Sequence, residues 1–166
     1  MRSLPARLVR VDRQITSWLG LHGVNLSRIA LGVIFLWFGG LKFIPGWSPA
    51  AELAGRTMET ASFGLLTPAQ SLFILAAWES AIGLGLLTAK FLRVTLLLLA
   101  VQMLGTMLPL VLFPRETFQV FPVAPTLEGQ YIIKNLVLLS AAAVVGATLR
   151  GRGLAPDPAV TDEVVL

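Results

Sequence analysis

The chain has 166 residues, of which 55% are hydrophobic and 13% charged, and its formal net charge is +4. Soluble domains contain about 25% charged residues, so this composition, with a mean hydropathy of +0.79, predicts a membrane protein. Cysteine is absent and histidine occurs once, as His22. These counts exclude thiolate chemistry, cysteine-ligated zinc, iron–sulfur clusters and a bis-histidine haem held by this chain alone. We therefore predict no metal site.

Residues 1–26 form a basic amphipathic segment. Apolar residues recur at helical spacing over 4–19, and the neighbouring arginines lie largely off this stripe. The stripe consists of Leu4, Leu8, Val11, Ile15, Trp18 and Leu19. We expect an amphipathic helix that lies on the anionic inner leaflet and ends at Gly20. We assign His22 only to the end of this helix.

Four apolar runs follow, at residues 27–45, 69–89, 91–113 and 131–149. At about 1.5 Å per residue, each run matches a hydrocarbon core of about 30 Å. The predicted fold class is therefore all-α, with an integral membrane four-helix bundle over 27–150 and a flexible cytoplasmic tail over 151–166. The short connection 90–93 requires the second and third spans to be antiparallel neighbours.

The two other connections are longer. Residues 50–61 have the composition of a short helix, and the proline-rich segment 114–125 predicts an irregular cap over the bundle. Small residues at four-residue spacing predict the faces at which the spans approach one another. These residues are Gly32 and Gly40, Ala77, Ala81 and Gly85, and Ala142 and Gly146.

The distribution of the cations predicts the orientation in the membrane. Nine Lys or Arg residues lie on the side of the two termini and the 90–93 connection, whereas the opposite connections contain only Arg56 and Arg115. The nine are Arg2, Arg7, Arg10, Arg13, Arg28, Lys90, Arg93, Arg150 and Arg152. The positive-inside rule places both termini in the cytoplasm, and we expect a multi-pass protein of the bacterial inner membrane. This distribution is not that of a nucleic-acid-binding patch.

Besides the cations at the cytoplasmic ends, three ionisable residues lie at bilayer depth in the predicted spans: Lys42, Glu79 and Lys134. A charge at bilayer depth costs about 2.5–3.5 kcal/mol on insertion scales, so each is a candidate for function. Glu79 lies about 15 Å deep, near the midplane. Helical side chains tilt toward the N-terminus of their helix. Lys42 therefore leans toward the cytoplasmic side and Glu79 toward the outer side, so the two side chains approach each other. We therefore predict that Lys42 and Glu79 form an ion pair and are the candidate catalytic groups.

Further residues are candidates for binding a ligand. Lys134 leans outward, toward Glu128 or toward a molecule that enters from outside. Gln102 and Asn135 would complete a polar lining, and Trp78, beside Glu79, either stacks on a flat ring or faces lipid. In the alternative, structural interpretation, the charges are paired only to fix which helices are neighbours, or the lysines extend to the outer headgroups.

Three stretches resemble the DoxX-like family of small bacterial membrane proteins: RIALGVIFLWFGGLKFIPG at 28–46, WESAIGLGLL at 78–87 and EGQYIIKNLVLLSAA at 128–142. The third stretch and the GGLKF segment also resemble the reactive-chlorine-resistance inner-membrane proteins. The resemblance covers about residues 27–150 and implies a four-helix membrane bundle. The resemblance implies that four residues occupy positions of the family's motifs: Lys42, Glu79, Glu128 and Lys134.

The resemblance also implies a range of functions. The name-giving member of the family is associated with a terminal quinol oxidase and with thiosulfate:quinone oxidoreduction, and other members with oxidative-stress complexes. A lysine can donate a hydrogen bond to a quinone carbonyl, and a buried carboxyl group can deliver a proton. The first hypothesis is therefore a quinone-binding membrane subunit that works with a redox partner.

Two other hypotheses remain open. In the second hypothesis, the chain is a non-catalytic anchor or assembly factor that presents helix 4–19 and the 90–93 connection to a cytoplasmic redox partner. In the third it is a small-molecule transporter, which would require a homo-oligomer because four spans line a pathway poorly.

The orientation is testable with reporter fusions. We expect a reporter that is active only in the cytoplasm to function when fused after residue 166, because nine cations lie on that side and two on the other. A fusion within the 46–68 connection should give the opposite result. Periplasmic activity of the fusion at residue 166 would contradict the predicted orientation.

Overall fold

The computed structural model describes residues 6–151. It contains four helices that are long and apolar enough to cross a membrane, which confirms the predicted all-α membrane bundle at this level. Some predictions concern residues outside this range, 1–5 and 152–166. They include those for Arg2, Leu4, Arg152 and most of the predicted tail.

The elements follow one another in a simple order. The long helices are α1 (Ala6–Leu41), α3 (Pro68–Thr88), α4 (Leu92–Met107) with its continuation α5 (Pro109–Leu112), and α7 (Leu127–Ala147), which a 3-10 turn (Thr148–Arg150) extends. The short elements are α2 (Ala51–Ala61), α6 (Pro114–Thr117), β1 (Phe118–Val120) and β2 (Ala124–Pro125).

The long helices form a closed ring around one core. Helix α1 packs on α3 and α7, and α4 packs on the same two helices, so the order around the bundle is α1, α3, α4, α7. The buried residues at its centre come from all four helices: Leu31, Phe35, Ile82, Leu86, Leu99, Met103 and Ala142. The many exposed apolar side chains point outward, as expected where lipid replaces water.

The predicted helix end at Gly20 is wrong, because α1 runs without a break from Ala6 to Leu41. A glycine within a helix costs only about 1 kcal/mol, and no proline interrupts this stretch. From Ala6 onward, the segment 4–19 is therefore not a separate helix but the first part of α1. At about 1.5 Å per residue, α1 is about 54 Å long and extends well beyond a hydrocarbon core of about 30 Å.

Glycines allow α1 and α3 to approach closely. A Cβ atom added at Gly83 would lie 2.5 Å from the backbone nitrogen of Leu36, and one at Gly39 would lie 2.8 Å from the nitrogen of Ser80. Gly32 makes a similar approach to Leu87 and to the carbonyl of Gly83. These distances leave no room for a methyl group, so the contact depends on glycine.

The predicted packing faces are only partly correct. Gly32 is at the α1–α3 contact, but a Cβ atom at Gly40 would meet open space. Ala77 and Ala81 are exposed, and Gly85 lies against Thr95 of α4 instead. The four-residue spacing identifies a small-residue stripe but not the helix that it faces, which explains these errors.

Several helix ends have clear local causes. Helix α3 begins at Pro68, one residue before the predicted run, since the Thr67 side chain and Gln70 form a capping box. Helix α7 begins four residues before the predicted span, because Thr126 accepts a hydrogen bond from the Gly129 N–H (3.2 Å). The third span is interrupted before Pro109, which lacks the N–H that would continue α4.

A small cap lies at the end of the bundle where α3 begins. The predicted short helix over 50–61 is confirmed as α2, which packs on α3. The segment 114–125 is more regular than predicted, since it forms α6 and the antiparallel pair of β1 and β2. Arg56 of α2 forms a salt bridge with Glu116 of α6 and lies 4.8 Å from the ring centroid of Phe113. Its hydrogen bond to Glu116 raises the pKa of Arg56 above its ordinary value.

Arg28 connects α1 to the opposite end of α3. Its guanidinium donates hydrogen bonds to the carbonyl oxygens of Leu86 and Leu87, the latter at 3.1 Å. The last carbonyl groups of a helix have no partner within the helix, so a cation is favourable there. Arg28 therefore fixes the position of α1 along α3 at one end of their contact.

We expect Gly83→Ala to lower the free energy of unfolding by about 1–3 kcal/mol, because the new methyl group overlaps the backbone of Leu36. Gly40→Ala is the matched control. It adds the same atom to a helical glycine with open space around it, and it should be neutral or stabilising by up to about 1 kcal/mol. Equilibrium unfolding in mixed micelles measures both. Equal effects of the two substitutions would contradict the close α1–α3 contact.

Candidate functional site

Three polar side chains from three helices meet inside the bundle. Lys42 follows the last residue of α1, Glu79 lies in the middle of α3, and Gln102 lies in the middle of the run formed by α4 and α5. Glu79 is the eleventh residue after Pro68, about 16 Å along the helix. The antiparallel arrangement of α3 and α4 brings Glu79 and Gln102 to the same depth. We call these three residues the Lys42–Glu79–Gln102 cluster.

The cluster is fully connected through hydrogen bonds. Lys42 Nζ lies 2.6 Å from Glu79 Oε2 and forms a salt bridge with it. Lys42 also donates to the carbonyl oxygen of Phe38 at 3.3 Å. Gln102 Nε2 donates to Glu79 Oε1 at 3.1 Å. The predicted ion pair of Lys42 and Glu79 is therefore confirmed, and Gln102 braces it from α4.

The cluster is shielded from its surroundings. The side chains of Lys42 and Glu79 are 8% and 12% exposed, and Gln102 is buried. In such a low-dielectric interior, attraction between opposite charges is strong and an unpaired charge is costly. The charges of Lys42 and Glu79 therefore occupy each other's hydrogen-bonding positions in this structure.

Trp78 connects α3 to α4. It is half-buried against the core, and its indole N–H donates to the carbonyl oxygen of Leu98 on α4 at 3.2 Å. Trp78 and Glu79 are adjacent in sequence, and both connect α3 to α4.

The predicted ligand-binding residues of α7 do not join the cluster through side-chain bonds. Asn135 is half-buried, on the same face of α7 as Ile132 and Ala142. Lys134 is exposed and lies 5.3 Å from the ring centroid of Tyr131. Glu128 is also exposed, and among residues 6–151 it forms no salt bridge with Lys134. Asn135 is thus the α7 residue best placed to contact a molecule inside the bundle.

Two serines of α3 were not among the predicted site residues. Ser71 of α3 is fully buried, and its hydroxyl group has no hydrogen-bond partner within the described residues. Ser80, next to Glu79, lies at the closest approach of Gly39. A serine among apolar residues is too common a signal to single out either one.

The arrangement can hold and move a proton. The ammonium group of Lys42 has three donors, two of which are used, by Glu79 and by Phe38. Glu79 accepts from both Lys42 and Gln102, so one carboxylate oxygen stays bound to Gln102 if Lys42 moves to another acceptor. Within residues 6–151, no group of three or more His, Cys, Asp or Glu side chains is placed to hold a metal ion.

The chain was compared with protein families, with curated proteins and with solved structures, and none of these comparisons finds a match. Function therefore has to be inferred from the site itself and from the sequence.

We expect Lys42→Met to lower the free energy of unfolding by about 3 kcal/mol, because it leaves Glu79 buried without its partner. The double variant Lys42→Met/Glu79→Gln should lose at least about 1 kcal/mol less, since the remaining amide is neutral and still reaches Gln102. Lys90→Met, at an exposed position, is the control and should be close to neutral. A double variant that is less stable than Lys42→Met would contradict a buried ion pair.

Proposed function

We propose that this protein is a DoxX-like subunit of the bacterial inner membrane, with both termini cytoplasmic, that binds a quinone at the Lys42–Glu79–Gln102 cluster. The observation that supports the proposal is a closely bonded Lys–Glu pair near the middle of the bundle. An intramembrane ion pair is expensive and marks proton or substrate sites more often than ordinary packing. The resemblance of the stretches that contain Lys42 and Glu79 to the DoxX-like family points in the same direction.

The proposed binding mode exchanges one acceptor for another. A quinone carbonyl oxygen takes the hydrogen bond from Lys42 Nζ that Glu79 Oε2 receives in the closed cluster. Glu79 remains held by Gln102 and serves as the proton donor or acceptor for the bound ring. Reduction of a quinone to a quinol consumes two electrons, which a redox partner supplies, and two protons, which Glu79 takes up from water and passes to the ring one at a time.

The route to the cluster starts beside Lys42. The turn 43–47 is exposed, and Phe43 packs edge-to-face on Phe73 of α3 with ring centroids 5.5 Å apart. Next to this aromatic pair, α3 carries an apolar surface cavity of about 440 Å³ whose lining includes Leu66, Phe73 and Ile74. In the proposed mode, this surface accommodates the isoprenoid part of the quinone while the head group reaches Lys42.

The electrons have to come from another protein. The sequence has no cysteine and one histidine, so it does not supply the ligands of an iron–sulfur cluster or a bis-histidine haem. We propose a cytoplasmic redox partner, in keeping with the quinone-linked and oxidative-stress complexes of the family that the chain resembles.

One feature favours a second function, that of a membrane anchor for such a partner. The first part of α1, over residues 7–22, is exposed throughout. It presents the apolar side chains of Leu8, Val11, Ile15, Trp18 and Leu19, with arginines between them. In this function the cluster only fixes the order of the helices.

The experiment is mass spectrometry of small molecules that co-purify with the protein from native membranes in mild detergent. We expect a stoichiometric quinone with the wild type and its loss with Glu79→Gln, because the variant removes the proton-carrying group and the anchor for Lys42. Glu52→Gln is the matched control. Its side chain is 86% exposed in the outer connection, so quinone should be retained.

A stability control separates binding from folding. The double variant Lys42→Met/Glu79→Gln removes the charges while keeping the cluster neutral, and a folded double variant without quinone would support the binding role. Quinone retained by the double variant would contradict the proposal. The absence of quinone from every sample, together with a protein that co-purifies with wild type but not after deletion of residues 2–20, would favour the anchor.

A further inference from the structure

A second site lies between α4 and α7, away from the cluster. The two helices leave a groove of about 240 Å³, lined by Leu96, Ala100, Leu139, Ala142, Ala143 and Gly146 among others. Small residues cause the groove, because the alanines and Gly146 fill little of the space between the helices. A Cβ atom at Gly146 would approach only Leu96, at 3.5 Å. The groove is almost entirely apolar and opens sideways, where the acyl chains of the bilayer lie.

Two arginines lie at one end of this groove. Arg93 precedes Leu96 by three residues and Ala100 by seven, so it lies on the groove-lining face of α4. Arg150 is the last residue of the 3-10 turn that extends α7, four residues beyond Gly146, so it lies close to the end of the groove that Gly146 lines. Because α4 begins where α7 ends, the arginines are at the same membrane surface.

Both arginines are available to an anion. They are exposed, and neither forms a salt bridge within residues 6–151. No side chain caps the amino end of α4, so its first N–H groups are also unpaired by side chains and add partial positive charge beside Arg93.

We propose that this groove binds one anionic phospholipid, with an acyl chain along Ala100, Ala142 and Gly146 and the phosphate between Arg93 and Arg150. The apolar lining and the paired cations match the two chemically different parts of such a lipid. A second copy of the chain fits this surface poorly. A symmetric pair joined here, with both copies in the same orientation, would bring four arginines together without a counter-charge.

The test is native mass spectrometry of the purified full-length protein in detergent that contains dioleoylphosphatidylglycerol or dioleoylphosphatidylcholine. We expect one phosphatidylglycerol to be retained in preference to phosphatidylcholine. Arg93→Gln/Arg150→Gln should weaken its retention by about 10- to 30-fold, since each arginine near the surface contributes about 1 kcal/mol. Arg10→Gln/Arg13→Gln removes two exposed cations of α1 and should leave retention unchanged.

A second variant tests the groove without changing the charge. Ala143 is exposed at its edge, so Ala143→Phe should fill the groove, displace the lipid and leave the thermal unfolding temperature of the lipid-free protein unchanged. Lipid retention that is the same in wild type, Ala143→Phe and Arg93→Gln/Arg150→Gln would overturn the proposal. Inorganic phosphate that stabilises the protein as much as the lipid, or a dimer that Ala143→Phe dissociates, would also overturn it.

Discussion

The bundle depends on one polar contact in an apolar interior, the salt bridge of Lys42 and Glu79 braced by Gln102. Between apolar helices in lipid, the hydrophobic effect provides little preference for one neighbour over another. A charged pair at this depth has few alternatives, because each partner is strongly unfavourable alone. The cluster therefore selects α1 and α4 as the neighbours of α3, while Arg28 fixes the other end of the α1–α3 contact. Close packing at Gly39 and Gly83 lies between these two points.

The salt bridge of Lys42 and Glu79 has both a structural role and a proposed chemical role. In this structure, Lys42 and Glu79 satisfy each other. In the proposed binding mode, a quinone carbonyl competes with this existing hydrogen bond, and Gln102 holds Glu79 in place during the exchange. The bond of Trp78 to the Leu98 carbonyl oxygen keeps α3 and α4 in register during such an exchange.

Much of the fold could be predicted from the sequence, because the signals are local. The four spans follow from the length of the apolar runs, and the pairing of Lys42 with Glu79 follows from their depth and the tilt of helical side chains. Other features depend on contacts between distant residues. The approach of Gly83 to Leu36 and the bonds of Arg28 to α3 require knowledge of which helix faces which. At Gly20 a weak local preference for a helix end was outweighed by the cooperativity of a long helix.

The order of the cluster along the chain has a consequence for membrane insertion. Chains are synthesised from the N-terminus at about 5–20 residues per second, so α1 reaches the bilayer before α3. When the carboxyl group of Glu79 enters, its partner Lys42 is already present at the end of α1, and Gln102 follows in the same helical hairpin across a three-residue connection. The span that carries Glu79 is therefore never the first to enter, and the helix that offsets the cost of its buried charge is already in place.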